Sequence, residues 1–261
     1  MKIISFLVVI AVIVASGSMA VAQQQPALKK DRQVLFDFRI DRKYSEPAIP
    51  ATTRRSVLSK LFRRYLPDAN RCSANFNAGN STDYLAAARK AGEIVPSISG
   101  MVTGSFTAPG QSQTLYVISV SECNASHADN FGTKRAAIFN GQQLVADLDV
   151  DFKETIERKT DLNSDGIEEL LMSSGDTHQG VVEEMAALYS FQNGRLRTVE
   201  DFGLVLEDSC ASLEPGSATK AAVLYISDVV PGNMPKLTME NYATGCTRTK
   251  RWRLISRGKM Q

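Results

Sequence analysis

The chain has two histidines, four cysteines and one tryptophan among 261 residues, and its formal charge is only +2. Each shortage excludes something. Two histidines, His127 and His178, and cysteines without short paired spacing leave no zinc motif. So small a charge gives no electrostatic reason for a nucleic-acid partner. The Gly-x-Ser-x-Gly elbow, the His-Glu-x-x-His helix and the phosphate-binding glycine loop are all missing. The apolar run Ile3–Ala15 has 13 residues, one of them serine, short of the roughly 20 that span a bilayer. With 43% hydrophobic and 22% charged residues, the composition fits a globular protein; it excludes collagen, a disordered tail and a polytopic membrane protein.

What is present begins with an export signal. Lys2, the Ile3–Ala15 run and Ala20-Val21-Ala22 read as a signal peptide over 1–22 with a small-residue cleavage site. An uncleaved N-terminal anchor is the competing reading. Removing 22 of 261 residues leaves 239, with no transmembrane segment and a periplasmic or extracellular location. In such an oxidising compartment Cys72, Cys123, Cys210 and Cys246 favour two disulfides over four free thiols, with three pairings open. Cys72–Cys123 with Cys210–Cys246 keeps both closed loops short. The sequons at Asn80 and Asn124 matter only in a eukaryotic secretory pathway.

The near-zero charge is a cancellation. Residues 23–95 hold 14 Lys+Arg against 7 Asp+Glu, residues 96–210 hold 7 against 18, and residues 211–261 hold 8 against 3. Basic flanks around an acidic middle can dock onto it within one fold, or present a basic face to an anionic surface.

The 23–95 segment reads as helical. Thr53 is placed to cap a helix whose apolar face is Val57, Leu58, Leu61, Phe62 and Tyr65, stopped before Pro67. Its other face carries Arg54, Arg55, Lys60, Arg63 and Arg64, suited to water or to an anionic membrane. A second short helix is expected from Asp83 to about Ala91. Strands follow over 96–261: Gln113–Val120 is rich in β-branched and aromatic residues. Leu144–Phe152 alternates, with Ala146, Leu148, Val150 and Phe152 facing one way and Asp147, Asp149 and Asp151 the other.

A repeat organises the strands. Phe106, Gly110 and Leu115 align with Leu162, Gly166 and Leu171 at an offset of 56, and Gly141 aligns with Gly194 at 53. The Asn-Gly pairs at 140–141 and 193–194 read as hairpin turns. A weaker third copy runs from Ala222 to Ile255. The expected fold is therefore mainly β: two to three blade-like antiparallel β-repeat units, part of a propeller or a sandwich, with an N-terminal helical segment.

One loop has specific chemistry. Asp161, Asn163, Asp165 and Glu169 put oxygen side chains at positions 1, 3, 5 and 9 of a nine-residue loop, with Gly166 at its turn. An all-oxygen set with flexible geometry suits Ca²⁺ better than Mg²⁺, and the absence of His and Cys argues against zinc and copper. An EF-hand needs Glu at position 12, where this chain has Met172. The loop resembles the calcium loops of FG-GAP/VCBS (integrin-type) β-propeller repeats, which lead into a strand. The resemblance implies that Asp161, Asn163, Asp165, Ile167 (through its carbonyl) and Glu169 are ligands of a structural Ca²⁺. The usual Asp at position 9 is here Glu169, and the first copy, Thr107-Ala108-Pro109-Gly110-Gln111, lacks acidic ligands. A metal-free polar turn is the alternative.

The expected function is an exported, non-catalytic binding or interaction module for a protein or polysaccharide ligand. A small secreted hydrolase using His127 or His178, each with Ser and Asp nearby in sequence, is a second reading. Attachment to anionic surfaces through the 53–66 helix and the basic C-terminus is a third.

Overall fold

A computed structural model describes residues 32–42, 47–62, 84–91, 93–122, 133–150, 153–212 and 215–260. The strands are β1 (Gln33–Asp37), β2 (Ile94–Gly104), β3 (Gln113–Glu122), β4 (Thr133–Asn140), β5 (Gln143–Asp149), β6 (Thr155–Thr160), β7 (Glu169–His178), β8 (Val181–Ser190), β9 (Arg197–Asp208), β10 (Ala218–Ser227), β11 (Lys236–Gly245) and β12 (Arg253–Arg257). The helices are α1 (Ala51–Leu61) and α2 (Tyr84–Ala91). The fold is mainly β, as expected. Every strand pairing is antiparallel. Among the described residues no helix is long and apolar enough to cross a membrane.

Two sheets result. The smaller is the meander β2-β3-β4-β5, and the larger runs β12-β11-β10-β9-β8-β7-β6 with β1 added against β10. The repeat is visible in this layout. The loop after β2 carries Phe106 and Gly110, and the loop after β6 carries Leu162 and Gly166; both glycines have positive φ (70° and 81°). Leu115 and Leu171, the next aligned pair, are fully buried on the following strands. The third copy makes no sheet of its own. β10, β11 and β12 instead continue the second unit, and the larger sheet curls into a half-barrel.

β3 carries an apolar run from Leu115 to Ile118, and β7 opens on Leu170-Leu171-Met172, because both faces of these stretches are covered. Tyr116, Ile118 and Val120 pack with Val57, Leu58 and Phe62 near α1 and with Ala88 of α2. Leu115 and Val117 face the opposite way, onto Leu170, Met172, Ala187 and Tyr189 of the larger sheet. Leu171 and Leu188, on that sheet's other face, join Leu35, Phe38, Phe202, Leu224 and Met239 in the half-barrel. Burying one such side chain contributes roughly 1.5–3 kcal/mol. Phe106 and Phe191 meet edge to face across the seam between the units.

Several local expectations shift. The α1 helix starts at Ala51 behind Pro50, so Thr53 lies inside the first turn and caps nothing. It ends at Leu61, because Phe62 turns extended and packs its ring in the core while its N–H closes on the Leu58 carbonyl. Tyr65 lies outside the described residues. The β4–β5 turn is Gly141-Gln142 rather than Asn140-Gly141, since Asn140 pairs with Gln143. Asn193 and Gly194 do lie in the β8–β9 connection, in a single 3₁₀ turn. A bulge in β5 places Leu144 beside Phe139 while Ala146 and Val150 are buried toward the larger sheet. Asp147 pairs with Arg135 at 2.7 Å, and Asp151 and Phe152 lie outside the described residues.

Candidate functional site

The acidic loop joins β6 to β7, and apolar residues anchor it on either side of its turn. Leu162 enters the half-barrel core and Ile167 is buried, so the polar residues between them are forced into a tight arch. Asp161 accepts from the Asp165 N–H at 3.2 Å and from the Gly166 N–H at 2.9 Å. Asn163 accepts from the Asp165 N–H at 3.2 Å and donates to the Asp165 carboxylate at 2.9 Å. Asp165 in turn accepts from the Ile167 N–H at 2.8 Å. The structure thus brings Asp161, Asn163 and Asp165 together.

Glu169 opens β7 at the base of the arch. It is 1% exposed and accepts the Leu162 N–H at 3.0 Å. Burial, with the charges of Asp165 and Asp161 adding to it, pushes its carboxyl up to about 7, against the opposing pull of the Leu162 amide. The donor set is all oxygen and carries three acids, the chemistry a hard cation such as Ca²⁺ takes. In the conformation seen, the loop carboxylates serve the loop's own amides. Among the described residues no group of three or more His, Cys, Asp or Glu side chains stands in metal-holding geometry. Met172, at the EF-hand's position 12, is a fully buried strand residue.

The loop is braced from two sides. The Gly232 N–H, in the β10–β11 connection, donates to the Asn163 carbonyl. The β2–β3 loop lies along the other side, with the Ser105 N–H donating to the Glu168 carboxylate at 2.7 Å. Glu168, which the motif passes over, also pairs with Lys159 at 2.8 Å. Its outward position in the sequence carries no sign of this role.

Of the other candidates, His178 ends β7 exposed, paired through its backbone with Val181, and its side chain makes no hydrogen bond or ion pair with a described residue. His127, Cys72 and Cys123 lie outside the described residues. Cys210 and Cys246 form a disulfide. It ties the start of the β9–β10 connection to the residue after β11, and the Cys210 sulfur sits 3.4 Å from the Thr219 hydroxyl.

Charge docking does occur. Arg42 reaches from the basic N-terminal segment to Glu157 at 2.8 Å and to Glu184, all three largely buried, with its guanidinium 4.7 Å from the Phe38 ring centre. Arg32 and Arg257 come from opposite ends of the chain and share the carboxylate of Glu240 at 2.8 and 2.9 Å. The Tyr242 hydroxyl donates to the other oxygen of Glu240. Arg32, then Arg257 and Tyr242, hold the Glu240 carboxyl down at about 2, overcoming the cost of its burial. Set against protein-family models, curated proteins and solved structures, the chain matches none of them.

Proposed function

We propose that the chain is an exported, non-catalytic β-repeat protein with one structural Ca²⁺ loop of the FG-GAP/VCBS kind, acting as a binding module for a protein or polysaccharide. One observation carries the reading: the Glu169 carboxyl is buried at 1% exposure within the electrostatic reach of Asp161 and Asp165. Three acids crowded on nine residues repel one another, and a divalent cation would offset that repulsion. Asp161, Asn163, Asp165 and Glu169 would hold the ion by side-chain oxygens, with the Ile167 carbonyl as a fifth donor. A bound ion would stiffen a loop that both neighbouring connections already touch. The antiparallel half-barrel, tied by the Cys210–Cys246 disulfide, suits a binding role.

The test is thermal unfolding of the purified mature chain with Ca²⁺ or with chelator. Ca²⁺ is expected to raise the melting temperature, by about 2.7 kcal/mol of stability at a hundredfold excess over Kd. Asp165→Ala is expected to abolish the rise. Identical curves with Ca²⁺ and chelator would remove the metal from the proposal.

A further inference from the structure

The half-barrel opens beside the chain's C-terminal end into a cavity of about 490 Å³, within the range of roughly 300–1,000 Å³ common for small-molecule sites. Two chemistries meet in its lining. Phe202, Leu237 and Met239, the same residues that line the half-barrel core, supply an apolar floor. Arg32, Lys236, Arg257 and Lys259 surround it, and Glu200 is the single carboxylate among the described lining residues.

The cations outnumber the acids they pair with among the described residues. One carboxylate, Glu240, takes a single nitrogen from each arginine, Nη1 of Arg32 and Nε of Arg257. One negative charge therefore faces two positive ones, and both terminal nitrogens of Arg257 make no bond to a described residue. Arg32 is further fixed by stacking 3.5 Å over the Tyr225 ring. Lys236 and Lys259 are exposed and pair with no described acid. A guanidinium held at Nε keeps its terminal N–H fork available for a planar oxyanion. The arginines are thus positioned before any ligand arrives, which lowers the ordering cost of binding.

We propose that this cavity binds a small amphipathic anion, with an apolar body on Phe202, Leu237 and Met239 and a carboxylate-like head at Arg257, Lys236 and Lys259. A purely ionic ligand would leave the apolar floor uncovered, and a cationic amphiphile would face four positive charges offset by only two carboxylates, Glu200 and Glu240. The site needs no metal and stands independently of the calcium loop.

Isothermal titration of the purified mature chain with decanoate, decyltrimethylammonium and acetate, each below its micellar concentration, tests this. Decanoate is expected to bind saturably at one site, with the other two at least tenfold weaker. Lys236→Glu with Lys259→Glu is expected to weaken decanoate at least tenfold; both side chains are exposed, and an unchanged melting curve would verify the fold. Methyl chemical shifts of Leu237 and Met239 are expected to move with decanoate in the unaltered chain. Any one of three results would overturn the proposal: no saturable decanoate binding, equal binding of decyltrimethylammonium or acetate, or full affinity in a folded double variant.

Discussion

Ser105 and Glu168 clasp the two repeat units at their loops: the Ser105 N–H donates to the Glu168 carboxylate at 2.7 Å, and the Glu168 N–H donates back to the Ser105 carbonyl at 2.8 Å. Lys159 bonds the same carboxylate and also reaches the Thr103 carbonyl at 2.7 Å, so one side chain holds three chain segments in register. Removing it leaves the Ser105 amide without its acceptor. Glu168→Ala is expected to cost about 1.5–3 kcal/mol in chemical denaturation, and Glu168→Gln less, because an amide oxygen still accepts. Equal, negligible losses would mean that the seam is held by its apolar contacts alone.

Gly166 and Gly110 occupy matching places in the two loops, yet they predict different costs. Both have positive φ, so alanine at either meets the same left-handed strain of about 1–2 kcal/mol. A Cβ on Gly110 meets nothing within 4 Å, whereas one on Gly166 would lie 3.0 Å from Pro109 Cβ. Gly166→Ala is expected to destabilise more than Gly110→Ala, and to lower Ca²⁺ affinity if the loop binds the ion. Matched unfolding free energies for the two variants would show that the loops do not press on each other in solution.

Glu240 gives a pH dependence of known sign. Its folded carboxyl is held at about 2, well below the 4.5 of an unperturbed glutamate, so on acidification the unfolded chain takes the proton first. The stability it supplies is complete above about 4.5 and is lost as pH falls toward 2. Between those values the wild-type unfolding midpoint is expected to fall more steeply than that of Glu240→Gln. Parallel slopes would place the acid sensitivity elsewhere.

The Cys210–Cys246 bridge closes a loop of 36 residues that contains β10 and β11. On the chain-entropy model such a loop contributes about 4 kcal/mol by restricting the unfolded chain. The double variant Cys210→Ser/Cys246→Ser is expected to unfold at lower denaturant by that order, while adding reductant to it changes nothing more. A variant as stable as the parent would assign the bridge no part in holding the half-barrel.

How far the sequence could be read depended on how local each interaction is. The apolar runs of β3 and β7 announce strands because neighbouring residues alone carry the signal. The offset of 56 likewise needs only the buried anchors Phe106 and Leu162 and the turn glycines beside them. The nine-residue loop was legible for the same reason, down to its passage into a strand. β1 was not. Its five residues include one fully buried side chain, Leu35, and its partner β10 lies about 190 residues away. β10 pairs with β9 at one end through Thr219–Ala221 and with β1 at the other, a fork that no local pattern encodes. At that fork β10, β11 and β12 extend the second unit, within the expected two to three. The basic cavity was equally hidden, since Arg32, Phe202, Lys236 and Arg257 meet only after the sheet has curled.

β12 ends the larger sheet, and all five of its residues, Arg253 to Arg257, are exposed. A sheet that stops without closing leaves a row of free amides and carbonyls, the template on which a second copy would polymerise. Here the strand carries its own gatekeepers. Two copies of β12 pairing antiparallel about Ile255 would set Arg253 of each against Arg257 of the other, two like-charge encounters on a five-residue strand. The apolar pair Leu254 and Ile255 at its centre can therefore stay exposed without turning the open half-barrel into the seed of a fibre.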